Sequence, residues 1–129
     1  MGEISLQQKM YSLARTPYHE VETAAEVQSV FRAQGIQEVQ VFQGTRADHL
    51  LIDVVTNSEA AVFRSLEASA AALLHLGQKH PGRINAFELS MATAENESGG
   101  QFLLAAESAR KLAAKELDVS TYFIDQVRF

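Results

Sequence analysis

The chain has 129 residues, a formal net charge of -5 at pH 7, 47% hydrophobic residues and no cysteine. That length predicts one α/β domain spanning 1–129, able to bury roughly two thirds of its unfolded surface without staples. The missing thiols exclude disulfides, iron–sulfur clusters and thiolate zinc sites. The acidic balance argues against generic binding to nucleic acid or anionic lipid, which needs clustered Lys and Arg to displace counterions.

Residues 1–15 lack a basic stretch followed by an apolar core, so no secretory signal is expected. The longest uncharged run in the central helical region, 68–78, has eleven residues, whereas a membrane span needs about 20. A cytoplasmic, membrane-free protein is the expectation.

Residues 4–15 read as a weak helix with Leu6, Met10, Leu13 and Ala14 on one side. The next stretch allows two readings: Thr16 caps a helix with Pro17 at its first position, or, as preferred here, 18–22 is a short strand and the helix starts at Thr23. "TAAE" has capping-box spacing, in which Thr23 and Glu26 satisfy each other's backbone donors. Ala24, Val27, Val30, Phe31 and Gln34 form the apolar stripe of that helix, and Gly35 supplies its left-handed stop. "HEVE" puts Glu20 and Glu22 on one strand face and His19 on the other, which reads as solvated edge charge, because one histidine with two carboxylates is a poor metal signature.

"EVQVF" and "HLLIDVVT" alternate in the manner of strands, and "GTRAD" between them reads as the turn of a hairpin. The longest helix follows, capped by Asn57 or Ser58, with Phe63, Leu66, Ala70, Leu73 and Gly77 at the buried spacing. It ends in "HLGQKHPGR". His75 and His80 are five residues apart, so they point about 140° from each other and do not share a metal. Lys79 and His80 meet the negative helix end, and Pro81 stops it. "INAFELSMATA" reads as another strand and "ENESGG" as a loop. "SGGQF" lacks the Walker lysine and the spacing of a dinucleotide loop, so it reads as a connector capped by Ser98. A helix is expected over 101–117, with Phe102, Ala106, Ala109 and Leu112 inward and a Glu107–Lys111 pair outward. The tail 118–129 carries Val119, Tyr122, Phe123, Ile124, Val127 and Phe129, much apolar surface for a solvated terminus.

The resulting order, β-α-β-β-α-β plus a helix and a tail, matches a ferredoxin-like split β-α-β fold: an antiparallel sheet with helices on one face. Strand parity sorts its two faces. Leu50, Ile52, Val54, Phe87, Leu89 and Met91, with Val39 and Val41, face the helices. Glu38, Gln40, Phe42, His49, Leu51, Asp53, Val55, Ala86, Glu88 and Ser90 face the other way. This second face mixes apolar and ionisable groups and therefore needs a cover. His49 and Asp53 lie about 13 Å apart along one strand, too far for a direct bond, but with Glu88 they can line one pocket as acid, base or metal ligand.

No cofactor motif and no G-x-S-x-G elbow is present. The leading expectation is a non-catalytic module acting through self-association, as a homo-oligomer, or through docking on a protein partner. Its interface would draw on Phe42, Leu51, Val55, Tyr122, Phe123, Val127 and Phe129. The alternative is a small enzyme or ligand-binding protein with its pocket at His49, Asp53 and Glu88.

Overall fold

A computed structural model describes residues 16–93 and 98–126. The expected helix over 4–15, Val127 and Phe129 lie outside them. The elements are α1 (Val21–Ala33), β1 (Val39–Gln43), β2 (His49–Val55), α2 (Glu59–Lys79), β3 (Ala86–Ala92), β4 (Ser98–Ala105), α3 (Ala106–Ala113) and α4 (Val119–Gln126). Four strands form one sheet in the order β1-β2-β3-β4. The pairs β1–β2 and β3–β4 are antiparallel, and β2–β3 is parallel, joined through α2. The fold is α+β, but the expected split β-α-β arrangement, with its purely antiparallel sheet, is not what forms. Two hairpins lie side by side, linked by one helical crossover of the kind that parallel neighbours require.

Two misread segments account for the difference. Residues 18–22 are not a strand. Pro17 makes a single antiparallel bridge to Phe42, and the amide of Gln43 donates to the Thr16 carbonyl at 2.8 Å. Helix α1 then begins at Val21 behind Glu20, which makes no side-chain cap. Thr23 is buried inside the helix rather than capping it. The second correction is β4. Residues expected as a loop capped by Ser98 and as the first turns of a helix pair in register with β3, Leu89 opposite Phe102 and Phe87 opposite Leu104. The last long helix is consequently only Ala106–Ala113. Ala106 is exposed there, and Glu107 pairs with Arg110 at 3.0 Å rather than with Lys111.

The face assignment holds. Val39, Val41, Leu50, Ile52, Val54, Phe87, Leu89 and Met91 are all buried in one cluster, which also takes Val27 and Phe31 of α1, Leu66, Leu73 and Leu76 of α2, and Ala109 and Leu112 of α3. Val119, Tyr122 and Phe123 of α4 pack against the same cluster, so all four described helices contribute to one side of the sheet. The hydrophobic effect drives this layering, because each element buries its apolar stripe against the others. In α2, Ser58 caps by accepting from the Ala61 amide at 3.1 Å. Gly35 adopts φ +91° after α1, as its position at the helix end demands. Gly77 is a further correction: it is exposed, off the buried stripe.

The "HLGQKHPGR" stretch does end a helix. The His80 amide donates to the Leu76 carbonyl at 2.7 Å, and α2 stops at Lys79. Its charges, however, look across to α1: Lys79 pairs with Glu26, and His75 Nε2 lies 3.4 Å from the same carboxylate. Lys79 is the larger influence, and its hydrogen bond holds Glu26 below the usual carboxylate range. No helix among the described residues is long and apolar enough to cross a membrane.

Candidate functional site

The site grows from the sheet register. His49 stands opposite Ala86 and Leu51 opposite Glu88, so His49 and Glu88 are diagonal neighbours on the second face. Their side chains meet: His49 Nδ1 is 2.7 Å from Glu88 Oε2, and Glu88 is 0% exposed. A buried carboxylate is costly unless hydrogen-bonded, and the β1–β2 loop supplies the remaining donors. The Thr45 amide lies 3.0 Å from both Glu88 oxygens, and the Thr45 hydroxyl donates to Oε2 at 2.6 Å.

The loop reaches this position because of Gly44. Its amide donates to the His49 carbonyl at 3.1 Å, and a Cβ there would sit 2.7 Å from the His49 Cβ and carbonyl oxygen. Such a contact excludes any side chain without a backbone shift. The His49 amide donates back to the Arg46 carbonyl at 3.1 Å, closing the loop. Asp48 anchors its far end. The Asp48 carbonyl accepts from the Asn85 amide at 2.9 Å, and its Oδ2 accepts from Asn85 Nδ2 at 3.0 Å. That side-chain bond is the main reason the Asp48 carboxyl lies below its ordinary range, with His49 and Arg46 adding smaller charge effects.

An ionised Glu88 only accepts, so Nδ1 carries the hydrogen and the opposite ring nitrogen is left to act. His49 Nε2 is 3.9 Å from Asp48 Oδ1. Beside it opens a cleft of about 500 Å³ lined by Thr45, Arg46, His49, Asn85, Ala86, Leu103 and Ala105. A histidine oriented through one nitrogen by a carboxylate, in the wall of a cleft, is equipped to accept or deliver a proton, or to bind a ligand donor.

The structure brings together two of the three pocket residues expected from sequence. Asp53 stands one row further along, opposite Gln40 and Ser90, and does not join the His49–Glu88 contact. Leu51 is fully buried, and Phe42 and Val55 are half-buried, all on the second face. Tyr122 and Phe123 lie elsewhere. Their rings pack on Phe102 at 5.2 and 6.1 Å, and Phe123 meets Phe63 edge-on at 5.7 Å, all on the helix side. Thr45, Arg46, Asp48, Asn85 and Leu103 escaped sequence reading. The available signal was the glycine directly before Thr45, at a strand end where the loop must double back. Among the described residues, no group of three or more His, Asp or Glu converges as a metal site. Comparison of the chain with family models, curated proteins and solved structures returns no match.

Proposed function

We propose that the chain is a small-molecule-binding module whose ligand occupies the cleft beside the β1–β2 loop, with His49 Nε2 as its acid–base group. The observation that carries this reading is the 2.7 Å contact between His49 and the fully buried Glu88. It spends a desolvated carboxylate on holding one imidazole, an arrangement common where a ring's other nitrogen is used. The cleft volume falls in the range of small-ligand sites. Carbethoxylation by diethyl pyrocarbonate, read by peptide mass spectrometry, tests it. A mixture of neutral, anionic and cationic fragments should slow modification of His49 while leaving His80 unprotected. Equal modification of His49 with and without fragments would remove the binding reading.

A second reading, association with another copy of the chain or with a partner protein, is favoured by exposed apolar residues at three places. Val21 of α1 is 75% exposed, Ile124 of α4 72%, and Leu103 on the edge strand β4 41%. Sedimentation of wild type and Ile124→Lys separates it from the first, because a lysine on that surface weakens association without touching the cleft.

A further inference from the structure

We infer that the cleft is selective for a small organic monoanion, a carboxylate carried on an apolar body; this rests on the reading of the cleft as a binding site. The chain as a whole is acidic, at -5, but among the described residues that line the cleft the one with a permanent formal charge is Arg46. Of the two carboxylates next to His49, Glu88 is buried, and Asp48, 42% exposed, is not in the described lining of the cleft. Glu88 is saturated by Thr45 and His49, and Asp48 Oδ2 is held by Asn85 at 3.0 Å. Arg46 makes no ion pair among the described residues. Its exposed guanidinium is a planar fork suited to a carboxylate.

Part of the wall is apolar. Leu103, Ala86 and Ala105 line the same concavity. A lone exposed leucine needs no explanation, but one set in a concave wall with two alanines and an arginine that has no ion pair among the described residues makes an amphipathic pocket. One guanidinium matches one negative charge, which favours a monoanion over a phosphate dianion. His49 Nε2 adds an acceptor for a hydroxyl or amide hydrogen on the same ligand.

The test is a titration of the full chain followed by amide chemical shifts, at constant ionic strength, with benzoate, benzylamine and inorganic phosphate as probes. Benzoate should shift the amides of Thr45, Arg46, Ala86 and Leu103 saturably. Arg46→Gln should weaken it at least tenfold and Leu103→Ser severalfold. Arg46 is exposed and holds the loop through its backbone carbonyl, so the Arg46→Gln chain keeps its fold, which its own spectrum verifies. Saturable benzylamine binding at these amides without benzoate binding would overturn the anion selectivity and leave the cleft reading standing. Phosphate binding as tightly as benzoate, or benzoate binding unchanged in Arg46→Gln, would also overturn it. Silence from all three probes would overturn both readings.

Discussion

Glu88 sits where a strand would ordinarily carry an apolar residue. It is fully buried, between Leu51 on β2 and Leu103 on β4 in the register. Among the described residues its donors come from Thr45 and His49. Glu88→Gln turns one acceptor oxygen into a donor, which the Thr45 hydroxyl and the His49 ring meet only by exchanging their donor roles, so a loss of roughly 1–3 kcal/mol in urea denaturation is expected. Removing His49 and Glu88 together should destabilise by less than the sum of the single changes, since the two share one contact. Additive losses would show that the pair is not coupled. Two glycines give opposite expectations. At Gly44 a methyl group would meet the His49 backbone at 2.7 Å, so Gly44→Ala should lower the melting temperature and disturb the Thr45–Glu88 bonds. At Gly77 a methyl group meets nothing within 4 Å. Gly77→Ala should therefore stabilise α2 by about 0.5–1 kcal/mol through helix propensity. A fall in melting temperature there would contradict the open surface.

Among the elements, legibility followed periodicity. Strands β1, β2 and β3 and helix α2 were readable because their apolar spacing is clean, and the two faces of the sheet follow from parity alone. Strand β4 was not readable. Its Leu-Leu-Ala run consists of good helix formers and runs directly into Ala106, so no breaker marks the join. What makes it a strand is non-local: Phe102 and Leu104 find Leu89 and Phe87 across the register, and pairing overrides propensity. The His49–Glu88 contact was half-visible for the same reason. Parity put both on one face, but only the parallel pairing of β2 with β3 makes them diagonal neighbours. Helix α4 carries a test at this scale. Asp118 accepts from the Ser120 hydroxyl at 2.7 Å and from the Thr121 amide at 3.0 Å, which together hold its carboxyl below the ordinary range, the serine bond contributing most. A depressed folded-state value means that the stabilisation is present above the unfolded carboxylate pKa, about 3.9, and is lost as pH falls through the folded value. Asp118→Ala should accordingly lower the melting temperature at pH 7, and the gap to wild type should narrow on acidification below pH 4. A gap constant across that window would show that the cap is not ionic.

For the whole molecule, the decisive arrangement is the segregation of all described helices to one side of the sheet. It assigns the apolar tail two different jobs. Tyr122 and Phe123 complete the helix-side core, with Phe123 stacked 9° from parallel to Phe102, while Ile124 one position on faces outward. Cutting the chain after Leu117 would therefore remove core contacts along with any interface, and a lost oligomer in that truncation would not distinguish the two. Single substitutions do. Phe123→Ala deletes two ring contacts from a half-buried position, and a loss of roughly 1–3 kcal/mol is expected, with sedimentation unchanged for molecules that remain folded. Ile124→Lys removes no core contact and should leave stability within about 0.5 kcal/mol of wild type. If the chain self-associates through this surface, Ile124→Lys shifts it toward monomer at matched concentration. If wild type and Ile124→Lys sediment alike, association through α4 is ruled out.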